Sequence, residues 1–299
     1  MSKNDIFNFR RFGKYFASDF KTCTSNYGLS LLTISILIPV ALYALSVIFS
    51  VIFMQSWSGP QFTLRLMAFF IAVFCIMVTM PVKCYGRITE RKYGSFWVSL
   101  PASKLEKFLS MIIHTCFLVP IIGTTLYLEV DWLICIFDKT CEGSMIVKAV
   151  QLIKEISNAW PEAFEEIESE LMALSGTRVP LDFLKQMLSP WLYIDEYIVA
   201  CLPFLLGAIY FKRAKTVFTF LALYAFSTIT SIIVMVGTPF IAGYYMDMIS
   251  GAVSEEELYL QMFNSGIFKH LLLIDILSDS ISIIAMLALT WWRIKTLKH

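Results

Sequence analysis

The sequence predicts an all-α integral membrane protein with six transmembrane helices and both chain ends in the cytoplasm. Three observations lead to this prediction: the composition, the length of the apolar runs, and the sorting of charge between them. Hydrophobic residues make up 58% of the 299 residues and charged residues only 16%, whereas soluble domains carry roughly a quarter charged residues. The mean hydropathy is +0.70. We therefore expect a multi-pass protein whose environment is the lipid bilayer.

Six apolar runs are long enough to cross the hydrocarbon core, which takes about 20 helical residues. They are residues 29–54, 64–82, 108–128, 191–211, 216–245 and 271–292. The last run closes with Trp291 and Trp292, a pair typical of an anchor at the membrane interface. We treat residues 1–299 as one six-helix domain.

Basic residues are concentrated in alternate connections, and this bias sets the predicted orientation. Residues 83–107 carry a net charge of +4, and residues 212–215 and the tail after Trp292 carry +3 each. By contrast, residues 138–190 carry −4 and residues 246–269 carry −3. Every basic connection falls on one side, which is therefore predicted to be the cytoplasmic side of the membrane.

Residues 1–28 combine a net charge of +3 with many aromatic side chains. Phe9, Phe12, Phe16 and Phe20 recur at helical spacing near one face. This pattern predicts an interfacial helix with its apolar face toward lipid and its basic groups toward the headgroups. The alternative is a flexible basic tail.

The largest connection, residues 129–190 between the third and fourth helices, predicts a small helical insert on the outer side. Apolar residues recur every three or four positions in residues 145–172, and residues 181–188 are similar. Such an insert either packs on the helix ends as a lid or captures a substrate or partner. Cys135 and Cys141 are the pair that fits a disulfide, if this connection faces an oxidising compartment.

Residues 83–107, which we call the elbow, connect the second and third helices. Pro101 interrupts the helical pattern. Ser103 and Glu106 then form the signature of a capping box at a helix start. Before the break, residues 87–98 fit a short amphipathic helix across the membrane surface. A basic, structured elbow suits the docking of a soluble partner, and the plain alternative is an ordinary basic loop.

Several kinds of chemistry lack their sequence signals. The chain has no Walker A sequence, no G-x-S-x-G elbow and no H-E-x-x-H motif. The seven cysteines and three histidines show no metal-ligand spacing. We therefore expect no enzyme activity, no cofactor or metal bound by this chain, and no nucleic-acid surface. A proton-coupled transporter lacks support as well, because no inverted repeat is visible.

Charged residues near the span ends form a second candidate site. Asp275 and Asp279 lie four residues apart, on one helix face. Together with Arg65, which we place at the outer end of the second span, they could line a polar vestibule or form an ion pair. The alternative is a set of shallow, solvated helix ends.

With this topology, the elbow resembles that of ABC type-2 transporter permeases. Its amino-acid sequence is also similar to that of permeases of this type from Bacteroidetes-like bacteria. The shared pattern is an acidic–basic pair, a glycine, a short apolar run, a proline, a small residue and a charged helix start. Here these features are Glu90–Arg91, Gly94, residues 96–100, Pro101, Ser103 and Glu106–Lys107.

The resemblance implies a permease subunit of an ABC transporter that exports an unidentified substrate. ATP would be bound by a separate ATPase subunit, and a second permease subunit, identical or different, would complete the transporter. Residues 90–99 would be the coupling helix in a groove of the ATPase, and the implied docking residues are Arg87, Glu90, Arg91, Gly94, Trp97, Pro101, Ser103 and Glu106. The insert at 129–190 is longer than is usual in that family. The alternative function is a non-transporting membrane anchor or regulator that docks a cytoplasmic partner.

Overall fold

The computed structural model describes residues 7–141, 143–155, 158, 165–166, 169, 190–249 and 267–297, and every regular element within them is helical. The long helices are α1 Phe9–Met54, α2 Phe62–Tyr85, α5 Val119–Phe137, α7 Pro190–Tyr210, α8 Lys215–Ile249 and α9 Ile267–Thr296. The shorter elements are a 3₁₀ turn Gly86–Thr89, α3 Arg91–Ser99, α4 Lys104–Ile112, a π-helical turn Ile113–Leu118, and α6 at residues 145–155.

Each of the six predicted spans coincides with one of these helices or with the continuous stack of α4, the π turn and α5. Five helices are long and apolar enough to cross a membrane by length and composition, as expected of a multi-pass membrane protein. The remaining predicted span, the fourth, corresponds to α7, whose described apolar part is the shorter segment Glu196–Tyr210. The backbone of α7 has 21 residues, which corresponds to about 31 Å of helix.

The predicted interfacial helix at residues 1–28 is not separate from the first span. From residue 9 onward it is the first part of α1, which runs 46 residues without a break. At the predicted boundary between the interfacial helix and the first span, the residue that disfavours a helix is Gly28, which a helix tolerates at a modest cost. Phe16 and Phe20, which we expected to face lipid, have their ring centroids 6.5 and 5.5 Å from that of His114.

The predicted insert begins later than expected, because α5 continues to Phe137. Asp138 ends the helix, and α6 follows within the stretch predicted to be helical. The second predicted helical stretch, residues 181–188, lies outside the described residues. Cys135 and Cys141 are free thiols in the structure.

Contacts divide the chain into two compact units, where the sequence predicts one domain over residues 1–299. The first unit contains Met1–Leu152, Ala200–Thr219 and Met286–His299, and the second contains Ile153–Val199 and Phe220–Ala285. In the first unit, α1, α2 and α5 pack around a buried apolar core that includes Tyr27, Ile76, Met80, Met111 and Leu205. This packing is close at Gly123, whose backbone carbonyl accepts a hydrogen bond from Ser35 Oγ at 3.0 Å.

Candidate docking site

The elbow is built around α3, a nine-residue amphipathic helix. Gly94 and Trp97, three residues apart, form its buried face. Arg91, Lys92 and Phe96 are exposed, and Lys92 and Phe96 lie on the side of the helix opposite Gly94 and Trp97. The 61% exposure of Phe96 contrasts with the 5% exposure of Trp97. The helix therefore presents a basic and aromatic surface while an adjacent aromatic ring holds it to the protein.

Lys107 fixes the C-terminal end of α3 to the beginning of the third span. Its ammonium donates to the carbonyls of Trp97 and Val98 at 2.8 and 3.0 Å. It also lies 5.0 Å from the centroid of the Trp97 ring, within the range of a cation–π contact. These bonds satisfy carbonyls that the end of a helix otherwise leaves unpaired. Lys107 is 3% exposed, so this cation serves the fold of the elbow.

Glu106 joins the elbow to the N-terminal part of α1. The predicted capping box is confirmed: the amide of Glu106 donates to Ser103 Oγ at 3.2 Å, and the amide of Ser103 donates to Glu106 Oε2 at 2.9 Å. The same carboxylate accepts from the Arg11 guanidinium at 2.8 Å and from the Asn8 amide at 2.9 Å. Because Glu106 is fully buried, this network holds α4 against the start of α1.

Lys215 holds the first part of the elbow. Its ammonium donates to the carbonyl of Gly86 and to Thr89 Oγ1, both in the 3₁₀ turn. It also donates to the carbonyl of Ala208 at 3.1 Å. The elbow is therefore attached at its beginning to the junction of α7 and α8, and at its end to α4.

The eight predicted docking residues divide into two groups. The exposed ones, which a partner can reach, are Arg87, Glu90, Arg91 and Pro101. The buried ones, which have structural contacts instead, are Gly94, Trp97, Ser103 and Glu106. Lys92 and Phe96 complete the exposed face and are absent from the prediction. Helical spacing places these two residues, four apart, on one face of α3, but it does not tell that this face is the exposed one.

The predicted vestibule around Arg65 has a different structure. Arg65 is 2% exposed; its Nη1 lies 3.0 Å from Asp131 Oδ1, and its Nη2 donates to the Gly143 carbonyl at 2.7 Å. Arg65 and Asp131 are both buried, because α5 extends past Asp131. Asp279 is half-buried in α9, and the side chain of Asp275 lies outside the described residues.

A second cluster of polar contacts, formed around Asp138, lies just after α5. Asp138 accepts hydrogen bonds from the Tyr43 hydroxyl at 2.6 Å and the Trp57 indole at 3.0 Å. It also accepts from the Thr140 hydroxyl and amide, at 2.7 and 2.9 Å. The Tyr43 hydrogen bond is the main cause that holds the pKa of Asp138 well below its usual range. Nearby, burial raises the pKa of the Cys141 thiol to about 12, so this thiol is protonated at neutral pH.

Comparison with known proteins adds no assignment to this geometry: no protein-family model, curated protein or solved structure matches the chain.

Proposed function

We propose that this chain is the membrane-spanning permease subunit of an ABC exporter, and that α3 is the helix through which a separate ATPase subunit drives it. The observation that carries the proposal is the exposed face of α3, basic and aromatic, on a helix fixed at both ends. The resemblance of the elbow sequence to type-2 permeases supports the same function.

The attachments of α3 suit the transmission of force. At one end, the 3₁₀ turn follows directly from α2. At the other end, Lys107 joins α3 to α4, which continues through the π turn into α5. In the proposed mechanism, closure of the ATPase pair pushes on α3 and displaces α2 and the third span together. That displacement opens a path toward the outer side for the exported substrate.

The chemistry of the exposed face suits a groove in an acidic, partly apolar protein surface. Arg91 and Lys92 provide charge that steers association, and Phe96 provides an aromatic anchor of the kind that dominates binding energy at interfaces. A second permease subunit completes the transporter, in a bacterial inner membrane with both chain ends in the cytoplasm. ATP is bound by the ATPase subunit and not by this chain.

The test begins with the genes beside the one for this chain, among which the proposal expects an ABC ATPase; absence of such a gene would count against it. That ATPase is purified separately and added to the full-length protein in nanodiscs. We expect the wild-type chain to bind the ATPase and to stimulate ATP hydrolysis. The double variant Arg91→Glu with Phe96→Ala should weaken binding by about tenfold or more, because one interface anchor contributes at least about 1.4 kcal/mol.

A matched control makes the same chemical changes elsewhere. Lys139 and Phe137 are both exposed, Phe137 at 86%, and they lie at the opposite end of the third span from the elbow. The double variant Lys139→Glu with Phe137→Ala should bind the ATPase like the wild type. Equal binding by the elbow variant and the wild type would overturn the assignment of α3. Binding without stimulated hydrolysis would favour the membrane anchor instead of the transporter.

A further inference from the structure

Two thiols and an imidazole from three different helical segments meet inside the first unit. Cys23 lies in α1, Cys84 near the end of α2, and His114 in the π turn of the third span. One donor atom from each residue lies within 4.8 Å of the other two. All three side chains are buried, with exposures of 2%, 3% and 0%. Their separation in sequence explains why no metal-binding spacing is visible there.

One ring nitrogen of His114 is available to bind a ligand. Its Nε2 lies 3.1 Å from the Tyr27 hydroxyl, while Nδ1 is buried with no hydrogen-bond partner among the described residues. Histidines that bind metals nearly always use the second nitrogen for a hydrogen bond. A buried nitrogen without a partner is costly, and coordination of a cation removes that cost. The π turn that carries His114 is a distortion found frequently at functional sites.

A carboxylate, that of Asp19, lies beside Cys23. Asp19 Oδ1 is 3.9 Å from Cys23 Sγ. Its other oxygen accepts hydrogen bonds from the hydroxyls of Tyr85 and Ser110, at 2.8 and 2.6 Å. These two bonds hold the carboxylate in place. Oδ1 accepts the long hydrogen bond of the Cys23 thiol, and it becomes available as a fourth donor when that thiol is deprotonated to bind an ion.

We propose that Cys23, Cys84 and His114, with Asp19 as the fourth ligand, bind one Zn²⁺ ion. Two thiolates, an imidazole and a carboxylate are all established zinc ligands, and four of them suit the tetrahedral geometry of a structural site. The charge also favours Zn²⁺ over a monovalent thiophilic ion, because two thiolates and a carboxylate leave a net charge of −1 around a divalent ion and −2 around a monovalent one in this buried place. With Zn–S bonds of about 2.3 Å and Zn–N bonds of about 2.0 Å, the donor atoms draw together by roughly 1 Å when the ion binds.

Such an ion would cross-link α1, α2 and the π turn beside the elbow. The rings of Phe16, Phe20, Tyr27 and Tyr85 surround His114 with centroids 5.5 to 6.5 Å from its own. This aromatic shell keeps water from the donors and strengthens the interaction with the cation. The site does not depend on the proposed transport function, since it joins helices that any function of this fold requires.

The test is zinc binding by the full-length protein, purified in detergent under reducing conditions, stripped with a chelator and reloaded with Zn²⁺. Elemental analysis should give about one zinc ion per chain for the wild type. The variant Cys23→Ser with Cys84→Ser should retain almost none, and His114→Gln should bind much more weakly. Cys75→Ser is the matched control, because Cys75 is a half-buried thiol of α2 outside the trio; it should bind zinc like the wild type.

Two further measurements keep the test informative if a variant folds poorly. Zinc should raise the unfolding temperature of the wild type and of Cys75→Ser. Co²⁺ in place of Zn²⁺ should give the wild type the intense thiolate charge-transfer and tetrahedral absorption bands. Negligible zinc in the reloaded wild type, zinc retained by the double serine variant, or an octahedral cobalt spectrum without thiolate bands would each overturn the proposal. Loading with Cu(I) in preference to Zn²⁺ would overturn it too.

Discussion

At the scale of single residues, buried charged groups in the first unit fasten one segment of the chain to another. Glu106 joins α4 to α1, Lys107 joins α4 to α3, and Arg65 joins α2 to α5 through Asp131. A buried charge is tolerated only where partners compensate its lost hydration. The capping box at Ser103 could be predicted because its residues are three apart in sequence. The partners of Arg65 and Glu106 could not, because they lie in distant segments and only the packing of the helices brings them together.

The hydrogen bonds that Asp138 accepts lead to a prediction about pH. Because the folded pKa of Asp138 lies below its unfolded value, its stabilisation is fully present above the unfolded pKa of about 4 and is lost as the pH falls through the folded pKa. We expect the unfolding temperature of the wild type, measured by tryptophan fluorescence in detergent, to fall more steeply below about pH 4 than that of Asp138→Asn. The exposed Glu155→Gln serves as the control and should follow the wild type. Parallel curves for Asp138→Asn and the wild type would contradict this role.

At the scale of elements, the long apolar runs predicted the positions of the helices well and their ends poorly. Apolar length reports how much of a helix can face lipid, whereas a helix ends at a cap or a break in the backbone. α1 therefore begins at the Asn8 cap, about 20 residues before the first apolar run. α5 continues to Phe137 and ends at Asp138 for the same reason. The short helix α3 was predicted from its amphipathic pattern, but the pattern did not show that Trp97 is buried and Phe96 exposed.

A close approach of α7 and α8 gives a prediction at this scale. A Cβ atom at Gly207 would lie 1.8 Å from Thr219 Oγ1 and within 3.0 Å of the other side-chain atoms of Thr219, so a rotation of this side chain cannot relieve the clash. Gly207→Ala should therefore destabilise the protein by about 1–3 kcal/mol. Gly13→Ala is the control: nothing lies within 4 Å of its Cβ position, and the change should be neutral or stabilising by up to about 1 kcal/mol. Thermal unfolding in detergent compares the two, and equal stability of both variants would refute the tight contact.

At the scale of the whole molecule, the sorted charges predict which connections share a side of the membrane. The elbow, the link at residues 212–215 and the C-terminal tail are basic, and from this bias we predict that they lie together in the cytoplasm. The link is the informative one, because its side depends on whether α7 crosses the bilayer. The described part of α7 is apolar but short, so accessibility measurements decide between five and six spans.

Cysteine labelling in intact cells tests this topology. Ser95, Arg213, Ser56 and Lys139 are exposed positions in four connections, and each is replaced by cysteine in turn. A membrane-impermeant maleimide should label Ser56→Cys and Lys139→Cys in intact cells, and Ser95→Cys and Arg213→Cys only after permeabilisation. The unaltered chain measures the background from its native thiols. Labelling of Arg213→Cys in intact cells would show that α7 does not cross.

The bond between Arg11 and Glu106 also sets an order of events during synthesis. Its two residues are 95 positions apart, so the arginine leaves the ribosome well before its partner exists. By the time Glu106 itself emerges from the ribosome, α1 and α2 have emerged before it and can enter the membrane. The carboxylate of Glu106 follows with the start of the third span, after the N-terminal segment that carries Arg11 has left the ribosome. Fusion or truncation at the N-terminus that displaces Asn8 or Arg11 would therefore leave the first hairpin to insert normally, while α4 would arrive with an unpaired charge.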